Sequence, residues 1–302
     1  MGKLELMMKK YRNILIFLLI SLAANATSQV GDILIWKGDT LKLFSNPLEL
    51  RSDSKELSKI IASELENEYR RLYPKKYETE EDVSLVSTAC WRGYVAEWTI
   101  ISDRIYLSNI YVWYDSKVKV DLKKVFGNEL IGNLLFANWV TGKLYVPKGQ
   151  CIEYVHLGYN SIYETETVIE FNDGVLVSSK TYNNYIAKKS KFRTDPNPNN
   201  YLEFVYSKVN WEKLPDLKNK HIQVSIGVQP NKDGQIDSLL SNYTYLLDSS
   251  ELITDTTNIF IKEAIRIVKL IPDWDLTYQR DTIVRRGLSL MFDENNKRKY
   301  AR

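Results

Sequence analysis

Three glutamates along one short stretch of the chain are the side chains best suited to acid–base chemistry. Glu164, Glu166 and Glu170 have the same parity, so on a β-strand they share one face. Two carboxylates that flank a glycosidic bond are the arrangement that glycoside hydrolysis uses. Glutamates that alternate on a solvent-exposed strand give the same pattern without catalysis, and the sequence favours this simpler interpretation.

Histidine-based and metal-based chemistry receives little support. The chain has two histidines, His156 and His221, which are far apart in sequence, whereas a zinc site needs three or four ligands at suitable spacing. The sequence also lacks a P-loop, a dinucleotide-binding fingerprint, Gly-x-Ser-x-Gly and His-Glu-x-x-His. We therefore expect no catalytic residue, no metal and no cofactor, and we classify the protein as a non-enzyme.

The two cysteines, Cys90 and Cys151, leave two alternatives open. In an exported protein they can form a disulfide, and closing a loop of this length would stabilise the fold by up to about 4 kcal/mol. The other alternative is a pair of buried free thiols. No nucleophile motif surrounds either residue, so a catalytic cysteine is not favoured.

The amino terminus has the three-part layout of a secretory signal peptide. Met1 to Arg12 is positively charged, Ile14 to Ala24 is apolar except for Ser21, and Ala24-Asn25-Ala26 provides the small-x-small cleavage pattern. The apolar run is shorter than the roughly 20 residues that a membrane-spanning helix needs. We predict a signal peptide over residues 1–26 and a periplasmic location without a membrane span, and a retained anchor is the alternative.

The charge balance argues against nucleic acid as a partner. The chain has 41 Lys and Arg against 38 Asp and Glu, and 37 of each remain once the first 26 residues are set aside. A nucleic-acid-binding domain normally carries a basic face or stripe. The sequence contains no such run.

The residues after the signal peptide predict a strand-rich domain with one long helix. Ile33 to Trp36 and Leu41 to Phe44 read as a hairpin. Asp53 and Glu56 form a capping box at the start of a helix that Pro74 ends. Its apolar residues recur at helical spacing: Leu57, Ile60, Ile61, Leu65, Tyr69 and Leu72.

Strand signals dominate the remainder of this region. Trp91 to Tyr114 is aromatic and β-branched and predicts a second hairpin, and Glu164 to Phe171 and Val175 to Lys180 flank the turn Asn172-Asp173-Gly174. The sequence therefore predicts an α+β fold with a first domain over residues 27–190. Residues 191–200, which are rich in proline and asparagine, are predicted to form a linker to a second domain over residues 201–302.

The second domain has the predicted order strand, strand, helix, strand. Ile222, Val224, Ile226 and Val228 alternate with polar residues, which is typical of a strand with one buried face. A helix capped by Asp255 or a neighbouring Thr is predicted to run to about Leu270. Thr282 to Phe292 then forms the last strand.

Three segments of this domain resemble the carboxy-terminal domain of TonB proteins of the Bacteroidetes type. They are Gln229 to Ile236 with its Asp-Gly turn, Lys262 to Val268 with its Glu-Ala pair, and Ile271 to Trp274 with Pro-x-Trp. The resemblance covers about Asn210 to Met291. It implies a periplasmic domain in which an exposed strand edge pairs with a segment of an outer-membrane receptor.

The same resemblance implies which residues contact the partner. In the family the last strand, or its neighbouring edge, accepts the receptor segment, and here that strand carries Arg285, Arg286 and Ser289. The amino-terminal half, from Cys90 to Val177, resembles a segment of uncharacterised exported bacterial proteins. That second resemblance implies no activity.

The sequence thus predicts an exported protein-binding module that docks a peptide by strand addition in outer-membrane transport. The alternative is an envelope protein that binds or hydrolyses glycans. Trp91, Trp98, Trp113 and Trp139 could stack sugars in that case, although tryptophans in strands more often belong to the core.

Overall fold

The computed structural model describes residues 28–74, 85–190, 198–246, 251–253 and 257–301. The predicted signal peptide over residues 1–26 lies outside this range. The fold is α+β and strands dominate it, as the sequence predicts. Two compact units divide the chain between Tyr182 and Asn183, and we refer to them as unit 1 and unit 2.

Unit 1 consists mainly of β-strands. Its strands are β1 (Asp32–Trp36), β2 (Asp39–Leu43), β3 (Tyr94–Ile101), β4 (Arg104–Val112), β5 (Asp115–Lys119), β6 (Leu130–Ile131), β7 (Leu134–Phe136), β8 (Gly142–Glu153), β9 (Ile162–Asn172) and β10 (Val175–Asn183). Its helices are α1 (Ser54–Leu72) and α2 (Leu122–Phe126), and short 3₁₀ turns cover Pro47–Leu50 and Gly127–Glu129.

The strands of unit 1 form a ten-stranded sheet with the main order β2-β1-β3-β4-β10-β9-β8. The two ends of this path meet. Phe44, directly after β2, donates its N–H to the Tyr145 carbonyl on β8 at 2.8 Å, and the Ser45 hydroxyl accepts the Tyr145 N–H at 3.2 Å. The sheet is therefore strongly curved.

Helix α1 packs one face into the core of this sheet. Leu57, Ile61, Leu65 and Tyr69 are buried in one cluster with strand residues, which confirms the predicted periodicity. The helix ends at Leu72, two residues before Pro74, the residue predicted to end it. The predicted capping box is wrong, because the Asp53 carboxylate does not cap the helix and binds the Arg51 guanidinium instead.

Unit 2 combines three helices with two small sheets in the described residues. Its helices are α3 (Pro198–Ser207), α4 (Ile259–Lys269) and α5 (Glu294–Tyr300), with a 3₁₀ turn at Trp211–Lys213. Its strands are β11 (Tyr185–Lys188), β12 (Ile222–Pro230), β13 (Ile236–Leu246), β14 (Glu251–Ile253), β15 (Leu276–Gln279), β16 (Thr282–Ile283) and β17 (Arg286–Phe292).

The larger sheet of unit 2 has the order β14-β13-β12-β17 and packs against α4. The buried face of β12 consists of Ile222, Val224, Ile226 and Val228, as the alternation predicts. Ile267 and Val268 of α4 are completely buried in the same cluster. The helix is capped by Asn258, whose side chain accepts the Phe260 N–H at 2.9 Å.

Three predicted boundaries differ from the structure. The expected last strand, Thr282 to Phe292, is divided, because β16 pairs with β15 and only β17 joins the larger sheet. Tyr185–Lys188, assigned to the first domain from sequence, pairs with β15 of unit 2. Pro198, assigned to the linker, begins α3, where the missing N–H of proline is tolerated. Residues 191–197 of that linker lie outside the described part of the chain.

Candidate functional site

The candidate site is the outer edge of β17. This strand is the terminal strand of the larger sheet of unit 2, and it pairs antiparallel with β12 from Val228 opposite Arg286 to Ile222 opposite Phe292, with no break in register. In such a pair, alternate residues direct their main-chain groups towards the partner strand and away from it. The main-chain N–H and C=O groups of every second β17 residue therefore point away from β12.

Two side-chain contacts at Met291 show which parity this is. The Met291 N–H donates to the Tyr206 hydroxyl oxygen at 2.9 Å, and the Met291 carbonyl accepts from the Asn296 amide at 3.0 Å. Met291 thus turns both main-chain groups away from β12. Because the register is unbroken, the main-chain groups of Gly287 and Ser289 also point away from β12.

Local structure explains why the edge is closed at Met291. The Asp293 carboxylate caps α5 by accepting the Asn296 N–H at 2.7 Å, which places Asn296 beside the strand end. Tyr206 lies on α3, is buried and has its ring stacked on Tyr300 at 5.0 Å between centroids. Burial raises the pKa of the Tyr206 phenol, so the hydroxyl keeps its proton. The open part of the edge is therefore confined to the residues before Met291.

The three residues predicted to contact the partner have different environments. Ser289 is exposed, and its hydroxyl lies 2.6 Å from that of Ser225 on β12, while its main chain faces outward. Arg285 is exposed and precedes the strand. Arg286 is tied inside the unit, because its guanidinium donates to the Asp275 carbonyl at 3.0 Å and to the Thr277 hydroxyl at 2.7 Å.

The Asp-Gly turn and the Pro-x-Trp segment form one brace in unit 2. The Trp274 N–H donates to the Gly234 carbonyl at 2.9 Å, and the Gln235 amide donates to the Pro272 carbonyl at 2.8 Å. Gly234 has φ of +82°, and a Cβ there would lie 3.0 Å from the Trp274 carbonyl oxygen. Only glycine fits this turn without strain.

The Glu-Ala pair in the Lys262 to Val268 segment also has a structural role. Glu263 accepts the Asn210 N–H at 2.6 Å and pairs with Arg266 at 2.7 Å. Burial opposes ionisation of this carboxylate, but these hydrogen bonds outweigh it and lower the pKa of Glu263. All three motifs therefore contribute contacts to the framework of unit 2.

Unit 1 contains a buried polar network around Asp32 and Arg92. Their side chains are only 2% and 8% exposed, and the guanidinium lies 3.0 Å from the carboxylate. Asp32 also accepts the Trp98 indole N–H at 3.0 Å and the Ala96 N–H at 3.1 Å. Arg92 additionally donates to the Tyr159 hydroxyl at 3.1 Å.

The electrostatics of this network reflect its burial. Loss of solvation raises the pKa of Asp32 to about 6, although the Arg92 charge and the Trp98 hydrogen bond act in the opposite direction. Burial also opposes the charge on Arg92, but its interactions with Asp32, Tyr159 and Cys90 together outweigh this and raise the pKa of the guanidinium. Both groups are charged at neutral pH and both have partners. The network is suited to holding strands together, and it presents no free acid or base.

The other sequence candidates are dispersed over unit 1. Cys90 is buried and Cys151 is exposed, and both are free thiols. Glu166 is buried, whereas Glu164 is exposed and accepts the Gln150 N–H at 2.9 Å. Glu170 accepts a hydrogen bond from Ser178 at 3.3 Å. The shared strand parity thus does not place the three glutamates in equivalent environments.

The tryptophans also differ in environment. Trp98 is completely buried, and Trp91 is 71% exposed. Trp139 and Trp113 are half-buried, and their indole N–H groups donate to the carbonyls of Pro47 at 2.8 Å and of Leu85 at 3.0 Å. Trp98 therefore belongs to the core, whereas Trp91 and part of Trp113 are accessible.

The described residues contain neither a cluster suited to a metal ion nor a helix suited to a membrane. Within them, no group of three or more His, Cys, Asp or Glu side chains is arranged to hold a metal ion. None of the helices described combines the length and the apolar character that crossing a membrane would require.

Comparison with known proteins does not add a family to this picture. No protein-family model, no curated protein and no solved structure matches the chain. The geometry of the two units is therefore the basis for a function.

Proposed function

We propose that the protein is an exported binding protein of the cell envelope whose unit 2 captures an extended peptide segment along β17. The observation that supports this is the outward orientation of Gly287 and Ser289 on a terminal strand. An added strand would hydrogen-bond to these groups and extend the sheet, which is how TonB-like domains bind receptor segments. The fitting partner is a segment of an outer-membrane protein.

The length of the open edge limits the affinity that the main chain alone can supply. Two outward residues offer two N–H and two C=O groups, and each hydrogen bond contributes about 1 kcal/mol. Roughly 4 kcal/mol corresponds to a millimolar Kd. Tighter binding therefore requires side-chain contacts beside the edge, and the exposed Arg285 favours a peptide with an acidic residue.

The matched pair Ser289→Pro and Ser289→Ala tests the strand-addition part of the proposal. Proline removes the outward N–H, whereas alanine keeps it and loses only the hydroxyl contact with Ser225. Mature protein is used to isolate its partner from outer-membrane extract, and a peptide from the captured partner is then titrated by fluorescence anisotropy. We expect proline to weaken binding at least about tenfold and alanine to have little effect.

Circular dichroism must show that both variants fold, because proline is tolerated only where the N–H faces away from the sheet. A folded Ser289→Pro protein that binds as tightly as the unchanged protein would exclude β17 as the docking edge. The opposite edge at β14 would then be the next candidate.

The export part of the proposal has its own measurement. Intact-mass spectrometry of the protein recovered from cells should give a chain that begins near Thr27. An intact chain that retains residues 1–26 in the membrane fraction would contradict cleavage and support the anchor alternative.

A further inference from the structure

Unit 1 has a partly enclosed cavity of about 350 Å³ on the face of its sheet that lies opposite the core. Its floor contains Ile33 of β1 and Val95 of β3. Val95 is 3% exposed, yet its neighbours Tyr94 and Ala96 belong to the core cluster on the other face. Because side chains alternate along a strand, Val95 must be covered by residues outside that core, and these form the walls of the cavity.

Four aromatic residues contribute to these walls: Phe44, Tyr111, Trp113 and Tyr163. They come from separate parts of the sheet and are held in place. Phe44 packs edge-on against Tyr163 at 5.5 Å between ring centroids and stacks on Tyr159 at 5.0 Å. The indole of Trp113 is fixed by its hydrogen bond to the Leu85 carbonyl. The ring surfaces are thus positioned before any ligand arrives.

The charges around the cavity restrict the ligand. Asp32 lines it, but its carboxylate is already occupied by Arg92, Trp98 and Ala96. Lys42 is exposed and also lines it. No unoccupied carboxylate among the described lining residues would balance a cation, and Lys42 repels one. The cavity therefore suits a neutral or acidic ligand.

The polar groups that line the cavity favour a sugar over a purely apolar ligand. Tyr111 and Tyr163, which line the cavity, carry phenol hydroxyls, and Lys42 adds three N–H donors. Burial, followed by the nearby Glu97, raises the pKa of Tyr111, so this phenol remains a donor. Ring faces that pack on C–H groups, with donors at their edges, match the two-sided chemistry of a sugar ring.

An extended peptide fits this cavity less well. Strands β1, β3 and β4 each pair with neighbours on both sides, so the cavity offers side chains on a sheet face and no strand edge. We propose that this cavity is a carbohydrate-binding site that takes one or two rings of a neutral or acidic glycan. The site is independent of the β17 edge, and it gives the protein a second ligand.

Isothermal titration calorimetry on the mature chain tests the proposal with maltose, cellobiose, diacetylchitobiose and digalacturonate as probes. At least one should bind saturably. Tyr163→Leu keeps apolar bulk but removes the ring and the hydroxyl. It should weaken binding of that sugar at least about tenfold. The matched control is Tyr185→Leu, because Tyr185 is exposed and lies outside the cavity lining. This variant should bind the sugar with an affinity within about twofold of that of the unchanged protein.

Two further variants keep the test decisive. If Tyr163→Leu melts early, Tyr111→Phe removes only one hydroxyl and should still weaken the sugar severalfold. Ser289→Pro should leave sugar binding unchanged, which separates this site from the peptide edge. The proposal is overturned if none of the probes binds, or if the folded cavity variants bind sugar as tightly as the control. It is also overturned if 8-anilinonaphthalene-1-sulfonate fills the cavity and no sugar displaces it.

Discussion

The Asp32–Arg92 network of unit 1 and the β17 edge of unit 2 treat polar groups in opposite ways. In the network, the carboxylate is almost inaccessible and accepts three hydrogen bonds. On β17, the outward groups of Gly287 and Ser289 face away from the sheet. A buried polar group without a partner destabilises the fold. An exposed polar group is hydrated instead and remains available to a ligand. The buried network of unit 1 thus contributes to stability, whereas the β17 edge of unit 2 has main-chain groups available for binding.

The largest expected effect comes from breaking the network. Arg92→Met keeps much of the side-chain volume but leaves the Asp32 carboxylate buried without its counter-charge. Removing one partner of a buried ion pair costs about 3–5 kcal/mol. Chemical denaturation, with hydrogen exchange at β1 and β3 as the local readout, should show this loss in unit 1.

A matched exposed pair provides the control for this prediction. Arg70 and Glu66 of α1 lie 2.5 Å apart, with side chains 51% and 44% exposed. Arg70→Met should cost less than about 1 kcal/mol, because solvent screens such pairs. Equal losses from the two substitutions would contradict the idea that burial makes the Arg92 network important.

The pH dependence of unit 1 is the next prediction. The pKa of Asp32 is about 6 in the folded protein, above its ordinary value of 3.8. Between these pH values the folded state holds a proton that the unfolded chain releases, so this residue makes unit 1 more stable as the pH falls from 6 to 4. The contribution is on the order of 2–3 kcal/mol.

Asp32→Asn isolates this contribution from the other carboxylates. Glu263 and Glu68, for example, have lowered pKa values, so they act in the opposite sense and lose stability as the pH falls. We therefore compare the unfolding free energies of the two proteins at pH 7 and pH 4. On acidification, the unfolding free energy of the unchanged protein should rise relative to that of Asp32→Asn. Parallel pH profiles would show that Asp32 does not titrate in this range.

Local patterns in the sequence predicted much of the framework. The buried alternation of β12, the buried face of α1 and the Asp-Gly turn after Asn172 all depend on residues close in sequence, and the structure confirms them. The buried stripe of α4, which includes Ala264 and Ile267, is confirmed for the same reason.

Contacts between distant residues were not predictable in this way. Arg92 reaches Asp32 across 60 positions, and Tyr206 reaches Met291 across 85. Nothing in the residues near Arg286 indicates that its guanidinium is held by Asp275 and Thr277. The sequence identified the last strand as a candidate edge, but which of its residues face outward follows only from the register with β12.

The smallest expected effect concerns the side chain that closes the edge. Tyr206→Phe removes the hydroxyl that accepts the Met291 N–H and leaves the ring stacked on Tyr300. The loss of one hydrogen bond should lower the stability of unit 2 by about 0.5–1.5 kcal/mol. It also frees the Met291 N–H, so the open edge gains one donor beyond Gly287 and Ser289. If an added strand binds there, Tyr206→Phe should bind the partner peptide at least as tightly as the unchanged protein, even though the unit is less stable.

Asn296→Ala is the matched variant, since it frees the Met291 carbonyl instead. Anisotropy titrations and thermal melts on both variants would measure the two quantities separately. Binding that weakens in proportion to stability would mean that Tyr206 supports the docking surface, and that the edge does not extend to Met291.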